Sequence, residues 1–239
     1  MPVLNAPAQR VARWCACALL ATLAGVSVSP GAGLEDLTSQ QRTEGLKNAL
    51  SQAAQVALAN LGKPDGFLGN PEVRIPLPGK LEQAQGLLKM LGANKQTDAL
   101  VTAMNRAAEA AVPEAKQLLL DSVKQMSVQD AVGILTGGED SATQYFRRTA
   151  SEKLAARFTP IISKETRKVQ LAQRYNDVAG KASQLGLVSA KDANLDSYVT
   201  NKAMDGLFLM MAKEEAAIRK DPQGQGSSIL RKVFGAIGH

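Results

Sequence analysis

Residues 72–78 read EVRIPLP, the one stretch in this 239-residue chain that alternates like a β-strand, with Val73, Ile75 and Leu77 on one side and Arg74 and Pro76 on the other. Its prolines cannot donate to a ladder, so the run is barred from a sheet interior. With no second strand to pair with, the chain is expected to be all-α. The same residues lie inside a longer irregular stretch, KPDGFLGNPEVRIPLP at 63–78, which holds four of the ten prolines. Pro64, Pro71, Pro76 and Pro78 fix their own φ and push their predecessors toward extended geometry. The expectation is a stiff strap over residues 62–79 between two helices. Either Phe67, Val73, Ile75 and Leu77 plug a helical bundle, or the strap is a binding loop or lid with Phe67, Arg74 and Ile75 as its contacts and Arg74 as the charged one.

Everything around the strap has helical period. LTSQQRTEGLKNALSQAAQVALANLG, residues 37–62, opens on a Thr38/Gln41 capping box behind a staple residue, Leu37. Leu46, Leu50, Ala53, Ala54, Ala57, Leu58 and Leu61 then recur on one face, and Gly62 ends the run. A second helix carries Leu81, Leu87, Leu88 and Leu91 to Gly92, and a third runs from about Asn94 to Pro113. Pro113 is expected to open a new helix as its first residue. Ser127 and Asp130 form another capping box, and Asp140 or Ser141 caps a helix that turns Tyr145, Phe146, Leu154 and Phe158 inward. Pro160 begins or bends a long helix through IISKETRKVQLAQRYNDVAGKASQLG, and Ser189 or Asn194 starts the helix bearing Tyr198, Val199, Ala203, Leu207, Met210 and Met211. The sum is a single bundle of about eight helices over residues 34–239. No repeat of residues accompanies the helix spacing, which disfavours a solenoid.

GKPDGFLGNPEVRIPLP, MNRAAEAAVPEAK, ILTGGEDSATQYFRR and LDSYVTNKAMDGLF, in that order and spacing, resemble the family of exported bacterial proteins catalogued as domain of unknown function 4197. The resemblance runs from about Leu34 to Phe234. It implies an exported helical protein with no assigned activity, and it carries no catalytic or binding residue over.

Arg10 and Arg13 precede an apolar run, WCACALLATLAGVSV, which ends in SPGAG before the first acid, Glu35. That order reads as a secretory signal peptide over residues 1–33, cleaved near Ala32 or Gly33. The run falls short of the ~20 residues that span a bilayer. Cys15 and Cys17 do not sit in a lipobox, so lipidation is not expected. Cleavage would remove both cysteines and the single tryptophan and leave His239 as the one histidine. Such a chain has no disulfide framework, no Cys nucleophile, no Ser-His-Asp triad and no Cys/His zinc site unless His239 is recruited. No cofactor is expected. The processed chain would keep 26 basic against 22 acidic residues. Its basic clusters, Arg147-Arg148, Arg167-Lys168 and Arg231-Lys232, are too short for a nucleic-acid face; attraction to anionic envelope surfaces is the stronger implication.

Four further constellations carry candidate chemistry. TGGEDSATQYFRR offers helix amides to an anion, with Arg147 and Arg148 two turns on, although Glu139 and Asp140 stand where the anion would go. Asp192, Asn194 and Asp196 match the first side chains of a calcium loop, but Ala203 replaces the closing glutamate. Glu109, Glu114 and Asp121 are candidate acids for paired-carboxylate hydrolysis. SSILRKVFGAIG, behind a hinge at 221–228, places Ile229, Leu230, Val233 and Phe234 opposite Arg231 and Lys232 in an amphipathic helix over 229–238, suited to a membrane surface or to the protein's own bundle.

The expected function is a non-enzymatic periplasmic or secreted protein that binds a lipid or other amphiphile, a membrane surface or an envelope partner protein. Met104, Met126, Met204, Met210 and Met211 give it adaptable faces. The alternatives are a carboxylate enzyme acting on an envelope polymer and a purely structural protein.

Overall fold

The computed structural model describes residues 38–83, 86, 90, 92, 94–176 and 194–221. Seven α-helices are bounded among them, and no strand is present among the described residues. The first, α1 (Ser39–Leu61), starts at the Thr38/Gln41 capping box, where Gln41 N donates to Thr38 Oγ1 at 3.2 Å and Thr38 N donates to Gln41 Oε1 at 2.9 Å. Its apolar face is buried from Leu46 to Leu61. Leu37 lies outside the described residues. Gly62 closes the helix with ordinary right-handed φ, −80°. Its smallness answers a contact instead, because a Cβ here would stand 2.9 Å from the ring of Pro113.

After the strap come α2 (Gly79–Gln83) and α3 (Asn94–Ala111), and most of the second apolar run, 84–93, lies outside the described residues. Leu100, Met104, Ala107, Ala108 and Ala111 form the buried stripe of α3. A new helix does follow Pro113, which stands at the start of the turn leading into it and not as the helix's own first residue. The backbone stays right-handed helical at Ala111, Glu114 and Ala115, and Pro113 sits in a 3-10 turn, Val112–Glu114, that carries α3 into α4 (Ala115–Gln125). The fixed φ of proline suits such a first turn, where its missing N–H goes unused.

The Ser127/Asp130 capping box opens α5 (Val128–Thr136) as expected. Pro160 does not begin a helix: it lies inside α6 (Ser141–Thr166), which stops well short of residue 186. Ala142, Phe146, Ala150, Leu154, Phe158, Ile162 and Thr166 are buried at every fourth position, a single ridge of the kind that packs into a neighbour's groove. Pro160 lies off this ridge on the exposed side. The burial of Phe158 and Ile162 on either side holds the helix together across the missing N–H; each such side chain contributes about 1.5–3 kcal/mol. Residues 170–176 are helical as well. Asn194 caps α7 (Leu195–Lys220), its carboxamide oxygen accepting from Asp196 N and Ser197 N.

Packing centres on α6, which touches α3, α4, α5 and α7, while α1 lies against α4, α5 and α7. Phe67, Phe146, Phe158 and Phe208 are the largest fully buried side chains. Among the described residues no helix is long and apolar enough to cross a membrane.

Candidate functional site

The strap is fastened from both sides. On α3, Asn105 is fully buried and faces Ile75 as a neighbouring strand would: Ile75 N donates to Asn105 Oδ1 at 2.8 Å, and Asn105 Nδ2 donates to Ile75 O at 2.9 Å. The strand-like text therefore has a ladder partner, supplied by one carboxamide. One turn on, buried Glu109 takes the Phe67 and Leu68 amides on Oε1, at 3.0 and 3.1 Å, and Arg106 Nη1 on Oε2 at 2.6 Å. Arg106 Nη2 reaches Asp65 at 2.7 Å, and hydrogen bonds to Glu109 and then Asp65 push the guanidinium above its ordinary pKa. Asp65 is in the left-handed region, φ 64°, where short polar side chains are tolerated.

From α7, Tyr198 Oη donates to Pro76 O at 3.2 Å, and Lys213 pairs with Glu72. Gly206 makes the seat for the strap's apolar side: a Cβ there would meet Phe67 Cε1 at 2.8 Å and Val73 Cβ at 3.2 Å. Phe67, Val73, Ile75 and Leu77 are all buried. The docked strap buries Phe67 and Ile75 and leaves Arg74 exposed.

The α6 N-terminus holds an anion, and the anion is internal. Buried Glu215 of α7 accepts from Ala142 N and Thr143 N, each at 2.9 Å, and from Thr143 Oγ1 at 3.0 Å. Arg219 balances it at 3.0 Å and also donates to Ile134 O of α5 at 2.8 Å, so one carboxylate joins three helices. Asp140 makes no side-chain cap and instead accepts from Gln144. Sequence reasoning placed the self-capping on Glu139 and Asp140; the carboxylate comes from 72 residues away. Arg147 lies 4.6 Å over the Phe208 ring beside Asp205, whereas Arg148 is exposed.

The candidate acids are not brought into one cleft. Glu109 secures the strap, exposed Glu114 meets Arg157 Nε at 3.2 Å, and Asp121 accepts from Gln117 and Lys124 of its own helix. Asn194 is occupied by its cap, and Asp196 accepts from Thr166 Oγ1 at 2.6 Å. Asp192 lies outside the described residues, as do the hinge and the amphipathic segment with Ile229, Leu230, Arg231, Lys232, Val233 and Phe234. Met104, Met126 and Met211 belong to the core, with Met204 and Met210 at its edge.

One open concavity of about 600 Å³ lies between the Pro113 turn, the first turn of α4 and the middle of α6. Pro113, Leu118 and Ala156 give it apolar surface, and Lys116, Lys153 and Arg157 give it charge. None of these basic residues stood out in the sequence, because they come together only when α4 packs on α6.

The family described as protein of unknown function (DUF4197) matches residues 36–235. No curated protein and no solved structure matches the chain.

Proposed function

From the premise that the chain belongs to the DUF4197 family, which is described without an activity, we propose a non-enzymatic exported helical protein of the cell envelope that binds an amphiphilic ligand or envelope partner. The observation that carries this reading is how the buried polar groups are used. Glu109, Asp196 and Glu215 each accept from amides or hydroxyls of the protein itself, and so does Asn105. Buried carboxylates held this way fix elements in place; a general acid or base needs its oxygen turned toward a substrate. Binding is then the work of the outer surface, where the cations lie. The proposal of export rests on the order of charge, apolar run and small residues over 1–33.

The test is to express the full chain, fractionate the cells, and analyse the purified protein by N-terminal sequencing, native mass spectrometry and lipid extraction. A periplasmic product beginning near Leu34 with a copurifying amphiphile is expected. A cytoplasmic product that keeps residues 1–33 would sink export, and an apo mass with no envelope protein captured by crosslinking would sink binding.

A further inference from the structure

We propose that the concavity between the Pro113 turn, α4 and α6 is an anion site, taking a phosphate or carboxylate headgroup among Lys116, Lys153 and Arg157 and the adjoining apolar part of the same ligand on Pro113 and Leu118. This deepens the binding reading above and rests on it.

Charge is the first argument. Three cations line the concavity with a single acid, Glu114, which contacts Arg157 through Nε, while the Arg157 side chain is 64 % exposed. Lys116 and Lys153 have no ion-pair partner among the described residues, whereas Lys124, Lys168 and Lys213 each have a carboxylate. A concave surface with one dominant sign focuses potential on a counter-ion. A planar guanidinium fork matches the oxygens of phosphate and carboxylate.

Placement is the second. Lys153 and Arg157 are four apart on α6 and so share a face, and Lys116 stands opposite them on the first turn of α4. The frame is stiff: Pro113 is held in its 3-10 turn and abuts Gly62 at the end of α1. Size is the third, since about 600 Å³ suits a small ligand or a headgroup, within the roughly 300–1,000 Å³ usual for such sites. Its openness favours a ligand that keeps part of itself in water.

The protein purified from cells expressing the full chain is titrated with inorganic phosphate, dodecyl phosphate, laurate and the neutral dodecyl maltoside, all below their micelle concentrations. Two variants are run beside it: Lys116→Gln/Lys153→Gln/Arg157→Gln, and a control with the same loss of charge at exposed positions elsewhere, Lys63→Gln/Lys95→Gln/Lys164→Gln. Dodecyl phosphate or laurate is expected to bind and the maltoside not, with affinity falling roughly tenfold in the groove variant and changing less than about twofold in the control. Preference for dodecyl phosphate points to a phospholipid-like source, preference for laurate to a free acid, and binding of inorganic phosphate alone to a soluble anion. Equal loss in both variants, or equal binding of the maltoside, overturns the groove. If a copurifying amphiphile stays on the groove variant, the site is wrong while the binding reading stands; if the unaltered protein binds none of the probes and carries no ligand, both fall.

Discussion

Asn105 shows how much one side chain can decide. It is fully buried and supplies both halves of a strand pairing to Ile75, with a further hydrogen bond to Val101 O. An alanine there leaves the Ile75 N–H and C=O without partners, at a cost of about 2–4 kcal/mol. Aspartate is expected to be worse, although nearly isosteric, because it cannot donate and would face two carbonyl oxygens with a buried charge. Urea unfolding of Asn105→Ala and Asn105→Asp checks the order; an Asn105→Asp protein as stable as wild type would show that the carboxamide's donors do not matter. Gly206→Ala tests the neighbouring contact, where a Cβ must displace Phe67 or Val73, and a loss of about 1–3 kcal/mol is expected by the same measurement. The sequence marked the strap as special through its prolines, but it marked Glu109 only as an acid. Nothing local to α3 says that Asn105 and Glu109 face a segment 30 to 42 residues earlier.

At the scale of elements, legibility follows the range of the interactions that define them. The caps of α1 and α5 were readable because donor and acceptor lie three residues apart. The start of α6 was readable as a start, yet its cap was not, since Glu215 belongs to α7. Pro160 was read as a possible helix start for a related reason: whether a helix continues across a proline's missing N–H depends on the packing around it, here the burial of Phe158 and Ile162. Pro160→Ala would restore the N–H that Ala156 O lacks, and a gain of roughly 1 kcal/mol or more in stability is expected from thermal melts. In α5, hydrogen bonds from the Ser127 side chain and then its backbone hold the Asp130 carboxyl below its usual pKa. A depressed carboxylate stabilises the fold above the unfolded value, about 3.9, and loses that contribution as pH falls through the folded one. The stability gap between wild type and Asp130→Asn should therefore be present at neutral pH and shrink as pH falls below the unfolded value; a gap that does not change with pH would place the effect elsewhere.

For the molecule as a whole, the strap is joined to both halves of the helical assembly. Its ties run to Arg106, Asn105 and Glu109 on α3 and to Tyr198, Gly206 and Lys213 on α7. Hydrogen exchange should accordingly find the amides of Phe67, Leu68 and Ile75 as protected as those in the middle of α6, because nothing short of global unfolding releases them. Fast exchange confined to these amides would make the strap a lid that opens on its own. The all-α character was legible from period and punctuation alone, while the groove was not, because Lys116, Lys153 and Arg157 meet only through the packing of α4 on α6.

The tie between Glu72 and Lys213 spans 141 positions of the chain. A polypeptide is made and threaded from its N-terminus, so residues 62–79 emerge long before the helix that seats them exists. At roughly 5–20 residues per second, a ribosome needs about 7–30 s to travel between those two codons. Through that interval Phe67, Val73 and Ile75 lack the Gly206 seat, and the nascent strap stays unlocked until α7 appears.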